Sequence, residues 1–127
     1  MKIQLLPMSK AEFSRAEDVM RFLMEELPKR GGKYFYRRKS IVYKEDTIVA
    51  FQYDGKIVAS AILINQSSNG MIENGIEYKA YFVFSPKSFV ICPKPVTAAM
   101  ITRVMPDFKG FNQSTQYLTE ACIRLIR

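Results

Sequence analysis

The chain contains no histidine and no tryptophan, and it has only two cysteines among its 127 residues. Without histidine there can be no Ser-His-Asp triad, no Cys-His pair and no histidine-ligated metal. The two thiols, Cys92 and Cys122, form no Cys-x-x-Cys motif and are too few for a zinc site. We therefore expect no metal and no other cofactor. Both cysteines are predicted to be small, buried hydrophobic residues.

Long hydrophobic runs and a signal peptide are also missing. The longest apolar stretch, Ile57 to Ile64, has the length of a strand, whereas a membrane span needs about 20 residues. The chain opens with Met-Lys-Ile-Gln and no apolar leader. These features predict a cytoplasmic protein with reduced thiols and no membrane partner.

The length predicts one domain over residues 1–127. A longer parent protein, with this domain as its N-terminal module, stays open as an alternative, because the last predicted helix is still amphipathic at Arg127. The basic end of that helix equally suits a natural terminus, since cations are favourable near a helix C-terminus.

Acidic residues are missing from the segment where basic residues gather. The net charge is +7, and residues 28–44 alone carry seven basic and no acidic side chains. Three consecutive aromatic residues, Tyr34, Phe35 and Tyr36, lie among the basic residues of this segment. Cations can meet phosphates while aromatic faces stack on bases. The pattern therefore favours nucleic acid as the partner, with a merely solvated basic surface as the alternative.

Hydrophobic periodicity predicts an α+β fold. Asp54-Gly55 is a strong turn signal between two strands that are apolar on both faces. Such strands lie in a small barrel or in a sheet covered by helices on both sides. We expect a small, curved, mostly antiparallel, barrel-like sheet flanked by helices. The predicted elements are a helix capped by Ser9 and ended by Pro28, strands over 47–53, 57–64, 76–84 and 89–92, and helices capped by Thr97 and Ser114.

Residues 46–63, Asp-Thr-Ile-Val-Ala-Phe-Gln-Tyr-Asp-Gly-Lys-Ile-Val-Ala-Ser-Ala-Ile-Leu, resemble a hairpin of the PUA-like superfamily, which includes the EVE, ASCH and YTH domains. Residues 81–96 are similar to a strand–turn–strand near the C-terminal half of such domains. The resemblance implies a PUA-like fold and a recognition module that takes one extruded, often modified base into an aromatic pocket. Because the chain lacks tryptophan, tyrosine or phenylalanine would line that pocket.

The predicted binding residues combine the basic segment with this pocket. Strand alternation separates Phe35 from Tyr34 and Tyr36, and we expect these two tyrosines, with Tyr81, to stay outside the core as pocket walls. The phenol of Tyr36 or the hydroxyl of Ser85 would supply a hydrogen bond to a base edge. The predicted nucleic-acid-binding residues are Lys33, Tyr34, Tyr36, Arg37, Arg38, Lys39, Tyr81, Ser85 and Lys87. DNA is favoured over RNA, and the oligomeric state is not predicted.

Two other functions compete with this hypothesis. A GNAT-type acyltransferase also has a helix followed by a hairpin, but its glycine-rich pyrophosphate turn has no counterpart, since Gly70 and Gly75 are too far apart and Gly110 stands alone. A protein–protein adaptor with a basic face is the second alternative. A nuclease centre is not expected within these residues, because the acids are scattered and Asp54 belongs to a turn. We therefore predict no catalytic residue here, and any nuclease would be a separate, fused domain.

Overall fold

The computed structural model describes residues 2–36, 44, 46–111 and 117–127. The strands are β1 (Lys2–Met8), β2 (Lys33–Tyr36), β3 (Thr47–Tyr53), β4 (Lys56–Ser67), β5 (Met71–Glu73), β6 (Ile76–Tyr78), β7 (Ala80–Phe84), β8 (Val90–Thr97) and β9 (Tyr117–Thr119). The helices are α1 (Ala16–Arg21), a π-helical segment (Phe22–Glu26), α2 (Leu27–Lys29), α3 (Ala98–Val104), a 3₁₀ turn (Glu120–Cys122) and α4 (Ile123–Ile126).

Seven strands form one sheet in the order β2-β7-β4-β3-β1-β9, with β8 also paired to β4. β1 runs parallel to β3, and the other described pairings are antiparallel. In the described part of the chain, β2 and β9 are the two ends of the strand order, so the sheet is mixed and open. The α+β class is confirmed, whereas closure into a barrel is not seen among these residues.

The sheet is covered on both faces by helices. On one face, Val19, Leu23 and Leu27 of the N-terminal helical run pack with a core that includes Phe51 and Phe84. On the other face, residues of α3, the 3₁₀ turn and α4 pack over the opposite side of the sheet. This second core contains Ile3, Ile48, Ala50, Ile57, Cys92, Val96, Ile101, Phe108, Leu118, Cys122 and Ile126. The hairpin is apolar on both faces because it lies between these two layers.

The first helix differs from its prediction at both ends. The Ser9 hydroxyl accepts a hydrogen bond from the Glu12 N–H at 3.2 Å, but Arg15 is extended and the helix begins only at Ala16. The helical run also passes through Pro28 to Lys29. Proline has no N–H and crowds the preceding turn. The π-helical segment ends at Glu26, so Pro28 lies in the first turn of α2, where a missing N–H is tolerated.

β4 is the strand that organises the sheet. One edge pairs with β3. The other edge is shared, because β8 pairs with its first half up to Ser60 and β7 with its second half from Leu63. The turn after β7 fills the gap, since the Ser85 N–H donates to the Ile62 carbonyl at 2.9 Å and the Ser88 hydroxyl accepts from the Ile62 N–H at 2.8 Å.

β8 continues through Pro93 and Pro95 to Thr97, beyond the predicted end of this strand at Cys92. The register explains this difference, since Ala59 pairs with Ile91 and Ile57 with Val96. The prolines therefore lie in a bulge, where the strand does not need their missing N–H groups for the ladder.

Two hairpin turns use residues with positive φ. Asp54 (φ 51°) and Gly55 (φ 73°) confirm the predicted turn. The polar composition of residues 65–75 predicts a loop, but Asn74 (φ 52°) and Gly75 (φ 77°) form a second turn there, between β5 and β6. The predicted strand over 76–84 is interrupted at Lys79, which separates β6 from β7.

The predicted last helix is shorter than expected. Leu118 belongs to β9, which pairs with β1, and the α-helical part is limited to Ile123–Ile126. The proposed cap, Ser114, lies outside the described residues. The Thr97 cap is confirmed, because its hydroxyl accepts a hydrogen bond from the Met100 N–H at 3.3 Å.

Gly32 positions β2 on β7, and its substitution should therefore be costly. A Cβ at this position would lie 1.8 Å from the backbone oxygen of Phe84, and φ is +81°. We expect Gly32→Ala to lower the free energy of unfolding by at least about 3 kcal/mol. Gly31→Ala is the matched control. Gly31 has a φ of +73° with no atom within 4 Å of an added Cβ, so its loss should be only about 1–2 kcal/mol. Equal losses in urea unfolding would contradict the close approach.

Candidate nucleic-acid interface

The pairing of β2 with β7 brings two aromatic rings and a cation together on one face of the sheet. Phe35 pairs with Tyr81, and Lys33 pairs with Val83. The Phe35 and Tyr81 ring centroids are 4.8 Å apart with the planes tilted by 52°. The Lys33 Nζ lies 5.5 Å from the Tyr81 centroid. Both rings are half-buried and Lys33 is exposed. We call Lys33, Phe35 and Tyr81 the platform.

Tyr34 and Tyr36 lie on the opposite face, which corrects the expectation that they stay outside the core. The Tyr34 ring is 6.3 Å from both Phe51 and Phe84, and burial raises the pKa of its hydroxyl. Tyr36 stacks on Phe82 at 4.5 Å. The alternation was predicted correctly, but its direction is reversed, because the N-terminal helical run covers the face that carries the tyrosines.

This arrangement separates the three predicted pocket walls. Tyr81 lies on the platform face, and Tyr34 and Tyr36 lie on the helix-covered face, so the three rings cannot line one pocket. The Tyr36 hydroxyl accepts a hydrogen bond from Gln66 Nε2 at 3.1 Å.

Ser85 and Lys87 lie in the turn that follows β7. The Ser85 carbonyl accepts hydrogen bonds from the Ser88 N–H at 3.0 Å and the Ser88 hydroxyl at 2.7 Å. Lys87 is exposed. The turn leaves β7 at the end where Lys33 begins β2, so Lys33 and Lys87 belong to the same end of the sheet. Arg37, Arg38 and Lys39 lie outside the described residues, and their part in binding stays a prediction.

Phe35 is the platform residue that the sequence reasoning left out. It was assigned to the side of the strand opposite the site, since its position between two tyrosines suggests a core residue. Its signal is the alternation Lys33-x-Phe35, which puts a cation and a ring on the same side of a strand. β2 alone does not identify this side as a platform, because the second ring comes from Tyr81, which pairs with Phe35 from another strand.

The basic segment is divided between the two faces of the sheet. The Arg30 guanidinium lies 5.8 Å from the ring of Phe22, and Phe22 contacts Tyr34 on the helix-covered face. Lys33 contacts Tyr81 on the other face. These two cations therefore lie on different faces of the sheet.

The described residues include no group of three or more cysteine, aspartate or glutamate side chains arranged to hold a metal ion. Asp54 lies in its turn as expected, and its carboxylate is 2.7 Å from Lys10 Nζ. The hydrogen bond from Lys10 lowers the pKa of that carboxyl. No helix in the described part of the chain combines the length and the apolar character that crossing a membrane requires.

Comparisons with protein families, with curated proteins and with solved structures found no match to this chain. The candidate function therefore depends on the chemistry and geometry of the platform.

Cys92 and Cys122 are buried free thiols, as predicted. Burial raises the pKa of Cys92 to about 11 and also raises that of Cys122. At pH 8 the Cys92 thiolate should therefore be only about one in a thousand of the thiol population, and the thiolate is the reactive form. We expect negligible reaction with Ellman's reagent at pH 8 in native buffer and two reactive thiols in denaturant. Rapid labelling of the folded protein would contradict the assigned burial.

Proposed function

We propose that the protein is a nucleic-acid-binding recognition module that contacts an exposed base on the platform. The observation that carries the proposal is the half-buried Phe35–Tyr81 pair, with its 4.8 Å ring separation and Lys33 beside it. A net charge of +7 supports an anionic partner. DNA is the partner we expect first.

The energetics of stacking agree with this proposal. A base on an aromatic side chain contributes about 1–3 kcal/mol, with little dependence on which base it is. A cation next to the ring meets the phosphate that accompanies the base, and the resulting counterion release makes binding sensitive to salt. Platform residues thus supply both parts of the interaction from two adjacent strands.

The proposal includes a PUA-like origin for the domain. Its support is the hairpin of residues 46–63, in which β3 and β4 pair around Asp54-Gly55. In our proposal, a base extruded from its stack meets the platform instead of a pocket walled by Tyr34 and Tyr36, since those rings pack against the core.

Substitutions of Tyr81 test the proposed stacking. We expect Tyr81→Ala to weaken binding of a fluorescein-labelled DNA oligonucleotide by about 1–3 kcal/mol in fluorescence anisotropy, because the ring no longer supports a base. Tyr81→Phe keeps the ring and should bind like the unchanged protein. Tyr81→Leu keeps apolar bulk without an aromatic face and should resemble Tyr81→Ala. Equal affinities for the leucine and phenylalanine variants would argue against stacking.

Lys33 is expected to contact a phosphate. Lys33→Ala should reduce the slope of log affinity against log salt concentration by about one, because one counterion fewer is released. Arg21→Ala removes the same charge from an exposed position on α1, whose helical run covers the opposite face, and should leave the slope unchanged. The same loss of slope in both variants would indicate only a general charge effect and would contradict a local contact.

A further inference from the structure

The platform extends into a row of three rings. Phe35 contacts Tyr81 on one side and Tyr78 on the other, where the ring centroids are 6.3 Å apart and the planes are tilted by 67°. Lys33 lies next to Tyr81. The order along the surface is therefore Lys33, Tyr81, Phe35 and Tyr78, with all three rings half-buried. We call this set the aromatic row.

Tyr78 comes from a separate hairpin, formed by β5 and β6 and called the arm here. The arm follows directly from β4 and leads directly into β7. Two contacts fix its base. The Lys79 N–H donates to the Tyr36 carbonyl at 3.0 Å, and a Cβ on Gly70 would lie 2.3 Å from the Tyr78 carbonyl oxygen. The first contact holds Tyr78 beside the end of β2, and the second brings the two ends of the arm together.

The aromatic row needs a ligand whose base faces are uncovered. Its successive rings are tilted by 52° and 67°, so each ring would take a different base. The bases of a duplex are stacked on one another about 3.4 Å apart, which leaves none of its internal base faces free for these rings. An unpaired strand can present its base faces, because each of its bases rotates independently and has its face uncovered. The cation at the Tyr81 end places the phosphate contact at that end.

We propose that the aromatic row binds an unpaired, single-stranded segment of nucleic acid, with neighbouring bases stacked on separate rings and a phosphate beside Lys33. This inference rests on the proposed function and adds the structural form of its ligand. The arm supplies Tyr78, the ring of the aromatic row that lies farthest from Lys33. The acidic Glu77 next to Tyr78 lies 3.7 Å from Lys79 Nζ, which offsets its charge.

Three DNA probes test the form of the ligand: a labelled single strand, the same strand annealed to its complement, and the same strand with abasic sites. We expect the single strand to bind at least about tenfold more tightly than the duplex or the abasic strand, since the latter two offer no free base face. Equal affinity for strand and duplex would overturn this inference and leave the proposed function intact. Binding of none of the probes by the folded protein would overturn both.

Substitutions of Tyr78 test the location on the arm. Tyr78→Ala should weaken single-strand binding by about tenfold, while Tyr78→Phe should keep it. Ile72→Ala is the control on the arm, because Ile72 pairs with Glu77, on the other side of the arm from Tyr78, and is 75% exposed. Thermal unfolding checks that each variant is folded. A folded Tyr78→Ala variant with unchanged affinity for the single strand would refute the aromatic row as its binding site.

Discussion

The structure depends on the way in which β4 shares one of its edges between two strands. β8 pairs with its first half and β7 with its second half. Ser85 and Ser88 satisfy the backbone of Ile62 in the gap between them. Arg127 also binds at this gap, where its guanidinium donates to the Ser60 hydroxyl at 3.1 Å and to the Ser88 carbonyl at 3.0 Å. An unsatisfied backbone group in this place would cost roughly 1–3 kcal/mol, which explains why the polar contacts concentrate there.

The division of β4 also determines where the platform lies. β8 pairs with the first half of β4, and β8 and the C-terminal helices contribute to the second core. β7 pairs with the second half of β4 on one side and with β2 on the other. The rings of Phe35, Tyr78 and Tyr81 therefore remain half-buried at the β2 side of the sheet. Half-buried aromatic rings keep part of their surface accessible, and such rings are common at binding surfaces.

The N-terminal helical run acts on the other side of the same strand pair. Its apolar residues cover the face that carries Tyr34 and Tyr36. The ring centroids of Phe22 and Tyr34 are 5.8 Å apart. One strand of four residues thus packs two rings against the core and places one ring, with its lysine, on the platform. The close approach of Gly32 to Phe84 holds that strand in register.

Local signals in the sequence determined the class of the fold and several of its turns. The Asp54-Gly55 turn and the Thr97 cap were predicted because their chemistry involves neighbouring residues only. The Asn74-Gly75 turn carries an equally strong signal, but its strands are short and were read as a loop and as part of a longer strand. Alternation in β2 was also predictable from a period of two residues. Which side of β2 faces the core was decided only by the tertiary structure, because that depends on where the N-terminal helical run packs. The tertiary structure also decided that β8 continues through Pro93 and Pro95, because these prolines lie in a bulge of β8 opposite β4. It likewise decided the pairing of Phe35 with Tyr81, which joins distant parts of the chain.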